Sequence, residues 1–278
     1  MKIISFSSQG EQQLGIVEDD LVYPSGMRVE LASLLRRDNG LADLYRMGRK
    51  KKPLPLGKVK ILAPVTNPQK FICVALNYMD HCLENHIPPP KSPVIFAKYA
   101  SAIIGHNDPI VHPRITKMLD YEVELAVIIG KKGKKISEAK AYDYVAGYTI
   151  CNDVSARDVQ MGDGQYTRGK TSDTFAPLGP WLVTHDEIGD PQDLHLRCLL
   201  NDKVLQDSNT RKMIFKIPYL LSFVSQAITL LPGDVLATGT PHGVGYCRKP
   251  RLFMKPGDVV QLEVEKIGKL VNRVVAER

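Results

Sequence analysis

Asp120-Tyr121-Glu122-Val123-Glu124-Leu125-Ala126-Val127-Ile128-Ile129-Gly130 decides more about this chain than any other stretch. Read as a β-strand, it sets Tyr121, Val123, Leu125 and Val127 on one face and Asp120, Glu122 and Glu124 on the other. The first face is apolar and fit for a core. The second is crowded with negative charge. Same-face neighbours on a strand start roughly 7 Å apart, close enough for their oxygens to converge on one ion. Hard oxygen donors of this kind suit Mg²⁺, Mn²⁺ or Ca²⁺ rather than a soft metal. An isolated Glu-x-Glu is more often a solvated strand face. Here the strand runs on as Ala126-Val127-Ile128-Ile129, an apolar run typical of interior strands, which draws Glu122 and Glu124 inward. Carboxylates held together and partly desolvated must share protons or find a cation.

Two further segments offer chemistry. In Gly147-Tyr148-Thr149-Ile150-Cys151-Asn152-Asp153 an apolar strand ends among polar residues, and Asp153 is a third acidic candidate. Taken alone, Asn152-Asp153 reads more often as a helix cap or an Asx turn. Upstream, a strand over Phe71 to Ala75 gives way to a short helix in which His81 and Glu84, three apart, face the same side. Such a carboxylate can orient an imidazole for general-base work, and the plainer reading is a surface ion pair. Pro88, Pro89, Pro90 and Pro93 follow, so a stiff loop bounds the segment and gives it the character of a lid.

Outward from these segments, residues 1–65 read as a small N-terminal domain with its linker, and residues 66–278 as a mainly β catalytic domain with some α. The first unit has a hairpin-like start, a helical stretch around Leu31 to Leu44 and a basic, proline-containing connector from Arg49. The second has many short apolar strands. Leu231-Pro232-Gly233-Asp234 and Lys255-Pro256-Gly257-Asp258 share a turn signature, with Pro pre-setting one dihedral and Gly supplying positive φ at the next. Ile217, Leu220, Leu221, Val224 and Ile228 mark one face of a helix starting near Pro218. Val260, Leu262 and Val264 alternate with polar residues as in a half-buried strand.

Composition excludes several function classes. With 278 residues, 44% hydrophobic and 24% charged, the chain is an ordinary globular protein with no run approaching a membrane span. The five cysteines contain no C-x-x-C pair, which argues against a thiolate zinc site or a disulfide framework and for reduced thiols inside a cell. The segment Met1 to Val17 lacks a secretory core, so the expected compartment is the cytoplasm, or the mitochondrion where a presequence precedes this numbering. The net charge of +7 comes partly from Arg49–Lys52 and Lys131–Lys135, which read as solvated turns. No stacking aromatics accompany them. We therefore expect no nucleic-acid partner, and a field that attracts small anions.

Taken together, the motifs resemble the fumarylacetoacetate hydrolase family: N-Y-x-x-H-x-x-E at Asn77–Glu84, D-x-E-x-E-L at Asp120–Leu125, N-D-V-S-A-R-D at Asn152–Asp158, R-G-K-x-x-D-T-F-x-P-L-G-P at Arg168–Pro180 and T-G-T-P-x-G-V-G at Thr238–Gly245. The resemblance implies a β-roll or sandwich catalytic domain, assembled as a homodimer. It implies Glu122, Glu124 and Asp153 as metal ligands, with Mg²⁺ first and Mn²⁺ or Ca²⁺ as alternatives. Lys170 would stand beside the ion as an oxyanion-stabilising cation, and Arg157, Gln160 and Thr240 would line the substrate pocket. Leu76 departs from the pattern, because relatives often carry Gly or Arg there and an Arg would bind a substrate carboxylate.

The implied substrate is a small anionic 2-oxo acid that reacts through a metal-bound enolate. Proton traffic alone gives keto–enol tautomerisation, with oxaloacetate preferred as substrate. Loss of CO₂ gives decarboxylation. Water activated by His81 and Glu84 gives carbon–carbon hydrolysis of an acylpyruvate, the second reading. A non-enzymatic nucleic-acid-binding protein is the remote third.

Overall fold

The computed structural model describes residues 1–278, and it is mainly β. One large sheet runs, from edge to edge, through Leu54–Pro55, Leu21–Pro24, Glu11–Glu18, Lys2–Ser8, Ala176–Thr184, Val145–Asn152, Val123–Ile129, Val235–Ala237, Phe71–Ala75 and Val94–Lys98. A second sheet is ordered Lys203–Asn209, His195–Leu200, Val259–Val264, Gly268–Ala276 and Ile110–His112. The sheets share one hydrophobic core of 58 buried residues, and the Trp181 indole N–H donates to the Ile267 carbonyl at 2.8 Å where they meet. No helix is long and apolar enough to cross a membrane.

The decisive strand lies deep in this arrangement. Its regular part, Val123–Ile129, is buried at every residue, flanked antiparallel by Val145–Asn152 and by Val235–Ala237. The preceding pair Leu119–Asp120 belongs to a separate short ladder with Ser155–Ala156. The carboxylate face is therefore enclosed, because other elements cover both sides of the sheet here.

Residues 1–65 join the same sheet. Lys2–Ser8 pairs with Glu11–Glu18 along its whole length, and Lys2 and Ile3 register with Val183 and Leu182. The helical stretch is divided into Leu31–Leu35 and Gly40–Gly48, because the chain folds back so tightly that a Cβ on Gly40 would lie 2.1 Å from the Leu34 carbonyl oxygen. The Pro218 helix spans Ile217–Ser225 and buries Ile217, Leu220, Leu221 and Val224; Ile228 lies past its end, packed on the core. Both Pro-Gly turns lead into strands, with Gly233 at φ +89 and Gly257 at φ +99.

Candidate metal centre and substrate pocket

Sheet register assembles the acidic cluster. Val123 pairs with Asn152, so Glu122, just before one strand, meets Asp153, just after its neighbour. The Asp153 N–H donates to the Glu122 carbonyl at 3.0 Å, and the Glu122 N–H donates to Asn152 Oδ1 at 3.0 Å. Asn152-Asp153 is thus a cross-strand brace, not a helix cap. The ligating atoms of Glu122, Glu124 and Asp153 all lie within 4.8 Å of one another, and the residues are buried.

Cations from three other segments converge on this cluster. Lys170 Nζ donates to Glu122 Oε2 at 2.7 Å and to Asp153 Oδ2 at 2.6 Å. Lys98 Nζ donates to Asp153 Oδ1 at 2.6 Å and to the Val154 carbonyl at 3.2 Å. Arg157 bonds Glu122 through one terminal nitrogen, Asp120 through Nε at 2.8 Å and Gln160 Oε1 at 3.2 Å. Burial pushes Glu122 up, but Lys170 and Arg157 outweigh it and hold its carboxyl well below the usual range. Burial opposes charge on Lys170 as well, yet Asp153 and Glu122 keep its ammonium above its ordinary value.

Glu124 stands apart. It accepts the Gly239 N–H at 2.9 Å and has no cationic partner. Burial, then Asp153 and Glu122, raise it well above an ordinary carboxylate. Glu124 is thus the one member of the three-carboxylate cluster without an ion-pair partner, and an all-oxygen donor set fits a hard divalent ion. The chain's own residues therefore fit the ion that the sequence implies.

His81 and Glu84 lie on the helix Met79–Glu84, with Nδ1 3.5 Å from Glu84 Oε2. Both Glu84 oxygens sit 3.0 Å from the Gly243 N–H. Burial raises the Glu84 carboxyl, but His81 and Gly243 outweigh it and bring it below its usual value. The helix is docked by Asn77, whose side chain donates to the Thr238 carbonyl at 2.8 Å and accepts the Phe215 N–H at 2.8 Å. Gly239 must be glycine there: φ is +97, and a Cβ would lie 2.8 Å from Asn77 Cβ. Leu76, just before, adopts φ +56, a conformation that costs a branched side chain energy and recurs at functional sites.

A cavity of about 250 Å³ brings the candidates together: Glu122, Glu124, Asp153, Lys170, Arg157, Gln160, Thr240 and His81 line it, while Glu84 stands behind His81. The Thr240 hydroxyl is engaged with structure, donating to the Val123 carbonyl at 3.1 Å and accepting from Gln206 at 2.9 Å. Asp120 lies outside the triad. Its oxygens accept from Gly245 N at 2.7 Å and Tyr246 N at 3.0 Å, which anchors the loop carrying Gly243.

Sequence reasoning missed Lys98, whose side chain is fully buried although its strand is an exposed edge. It also missed Asn85 and Cys247, which line the cavity, and burial, followed by Glu84, pushes the Cys247 thiol up to about 11. The one available signal for Lys98 was a lone cation ending the apolar run Val94-Ile95-Phe96-Ala97.

Comparison with known proteins agrees with this geometry. The family model described as fumarylacetoacetate (FAA) hydrolase C-terminal matches residues 70–275. The chain is 49% identical over 263 residues to the oxaloacetate tautomerase Fahd2a, mitochondrial, of Rattus norvegicus, covering 94% of this chain and 84% of that protein. A solved fumarylacetoacetate hydrolase from Exiguobacterium antarcticum superposes with TM-score 0.88 at 36% identity over 100% of both chains. Maleylpyruvate hydrolase from Sphingobium sp. SYK-6, solved with manganese(II) and pyruvate, gives TM-score 0.86 at 30% identity, again over 100% of both chains.

Proposed function

The chain belongs to the fumarylacetoacetate hydrolase family, and from that premise we propose that it is a divalent-metal-dependent oxaloacetate keto–enol tautomerase. The observation that carries this reading is the buried Glu122–Glu124–Asp153 cluster with Lys170 bonded to two of its members. The relative named oxaloacetate tautomerase supports the choice of reaction.

In this reading Glu122, Glu124 and Asp153 hold Mg²⁺; the manganese in the solved maleylpyruvate hydrolase supports Mn²⁺ as the alternative. When bound, the ion withdraws electron density from the keto and carboxylate oxygens of a 2-oxo acid and so acidifies the adjacent carbon. Lys170 stays charged and stabilises negative charge developing on the keto oxygen. Arg157 and Gln160 position the substrate carboxylate, and Thr240 shapes the wall. Burial excludes bulk water and strengthens each of these interactions.

Acylpyruvate hydrolysis is the second reading, favoured by the 3.5 Å contact of His81 with Glu84, which equips the pocket to deprotonate a water. We also propose a homodimer, supported by Val94 and Ile95 exposed on an edge strand. The start of the family match at residue 70 supports a unit boundary near residue 65. The mitochondrion is the proposed compartment, because the named relative is mitochondrial.

The test is a substrate panel with and without Mg²⁺: enol-oxaloacetate, oxaloacetate decarboxylation and acylpyruvates under identical conditions. Tautomerisation should dominate and vanish on chelation. Acylpyruvate cleavage far exceeding tautomerisation would install the second reading.

A further inference from the structure

We propose that His81, Glu84 and Cys247 form a second metal site, distinct from the oxygen cluster, that takes a borderline-soft divalent ion of the Zn²⁺ class. Their ligating atoms, an imidazole nitrogen, a carboxylate oxygen and a thiol sulfur, all lie within 4.8 Å of one another. The His81 Nδ1 to Glu84 Oε2 separation is 3.5 Å. Tetrahedral zinc, with bonds of about 2.0–2.3 Å, places neighbouring ligand atoms roughly 3.3–3.6 Å apart, so the His81–Glu84 pair has the spacing of two corners, and the sulfur, within 4.8 Å of both, must close in to make the third. The cavity that His81 and Cys247 line leaves the fourth corner to water or substrate.

The residues of this group are held by outer partners, as metal ligands are. Gly243 N–H holds Glu84, and Gly243 is itself fixed at φ +97, where a Cβ would meet the Leu205 carbonyl oxygen at 2.2 Å. Cys247 closes the short turn Gly245–Cys247, which Asp120 anchors at Gly245 N. Among the three ligands, the Asn85 amide bridges: its nitrogen donates to the His81 carbonyl at 2.9 Å and lies 3.4 Å from either His81 ring nitrogen, and its oxygen is 3.0 Å from Cys247 Sγ. An entering ion replaces the long ring contacts and the thiol contact, while the bond to the His81 carbonyl can persist. The two centres also differ in kind: an all-carboxylate set selects hard ions, and a nitrogen–sulfur–oxygen set selects zinc.

On binding, the Cys247 S–H bond breaks, its proton leaves to solvent and the sulfur–zinc bond forms, with no change of oxidation state. Occupancy also consumes the His81 lone pair, so zinc inhibits any His81-dependent step. That consequence rests on the role proposed above for His81; the site itself does not.

The test uses the full chain saturated with Mg²⁺ and titrated with Co²⁺ as a spectroscopic probe, then with Zn²⁺. A thiolate-to-cobalt charge-transfer band should appear, be displaced by zinc, and be absent in both Cys247→Ser and Cys247→Ala. Zinc affinity should fall by about 100-fold or more in either variant, the upper end of what losing even an outer partner costs. Absence of the band, or equal zinc affinity in parent and variants, overturns the proposal. A band without any loss of acylpyruvate hydrolysis keeps the site and refutes the role given to His81. The use of two substitutions prevents a folding defect in one from deciding the result.

Discussion

Replacing Lys170 with Met should lower catalysis while tightening metal binding. The ammonium lies 2.7 Å from Glu122 and 2.6 Å from Asp153, all buried. At an effective dielectric near 20, each contact is worth about 6 kcal/mol of gross Coulomb attraction, much of it offset by desolvation. Breaking a buried pair typically costs about 3–5 kcal/mol. Here the loss should fall at the low end, because Glu122 keeps Arg157 and Asp153 keeps Lys98. Added Mg²⁺ should restore much of it, since the ion meets the same carboxylates with one competing cation fewer. Its affinity should therefore rise. Catalysis should fall roughly 10²- to 10³-fold, the usual cost of one lost electrostatic donor at developing negative charge. Calorimetric Mg²⁺ titration and the ultraviolet decay of enol-oxaloacetate read the two effects separately. Weaker Mg²⁺ binding, or a rate within a few-fold of the parent, would refute the argument and make Lys170 a structural cation.

Glu122→Ala, Glu124→Ala and Asp153→Ala should each lose most Mg²⁺ binding while remaining folded; full-strength calorimetric binding in any two rejects the ligand set. Magnesium should raise the melting temperature of the parent, with about 2.7 kcal/mol gained at 100 times the dissociation constant, and an unchanged melt across a wide titration counts against the site. His81→Ala should remove about 10²- to 10⁴-fold of any acylpyruvate hydrolysis while sparing part of the tautomerase rate, so equal losses in both assays contradict the division of roles. The Asp80–His242 contact of 3.0 Å ties the His81 helix to the Gly243 loop. Hydrogen bonding to Asp80 raises His242, whereas burial pushes Asp80 up and is outweighed by bonds from His242, Ser208 and Lys212 that hold it well below the usual carboxylate range. The pair's stabilisation should thus be present between the unfolded values of about 3.9 and 6.5 and be lost as pH rises through the folded His242 value. His242 is 41% exposed, so denaturant titrations of parent and His242→Gln should differ by less than about 1 kcal/mol at pH 5 and converge at pH 9; a gap that widens at alkaline pH has the wrong sign.

The sequence by itself determined what is written in neighbouring residues. Alternation placed Glu122 and Glu124 on one face, the apolar run Ala126–Ile129 drew them inward, and a spacing of three set His81 beside Glu84. Pro-Gly pairs marked two turns, and ordered motifs carried the family. Only the tertiary structure decided which distant charges meet. Lys98 reaches Asp153 across 55 positions and Arg157 reaches Asp120 across 37. Cys247 joins His81 and Glu84 from the far side of the chain. Periodicity fixes the face of a side chain, but its partner depends on sheet register and on how a loop returns over the sheet. An exposed edge strand can therefore end in a fully buried lysine. Buried ions must find counter-charges wherever packing brings them, because an unpaired one costs several kcal/mol, and no local pattern records that meeting.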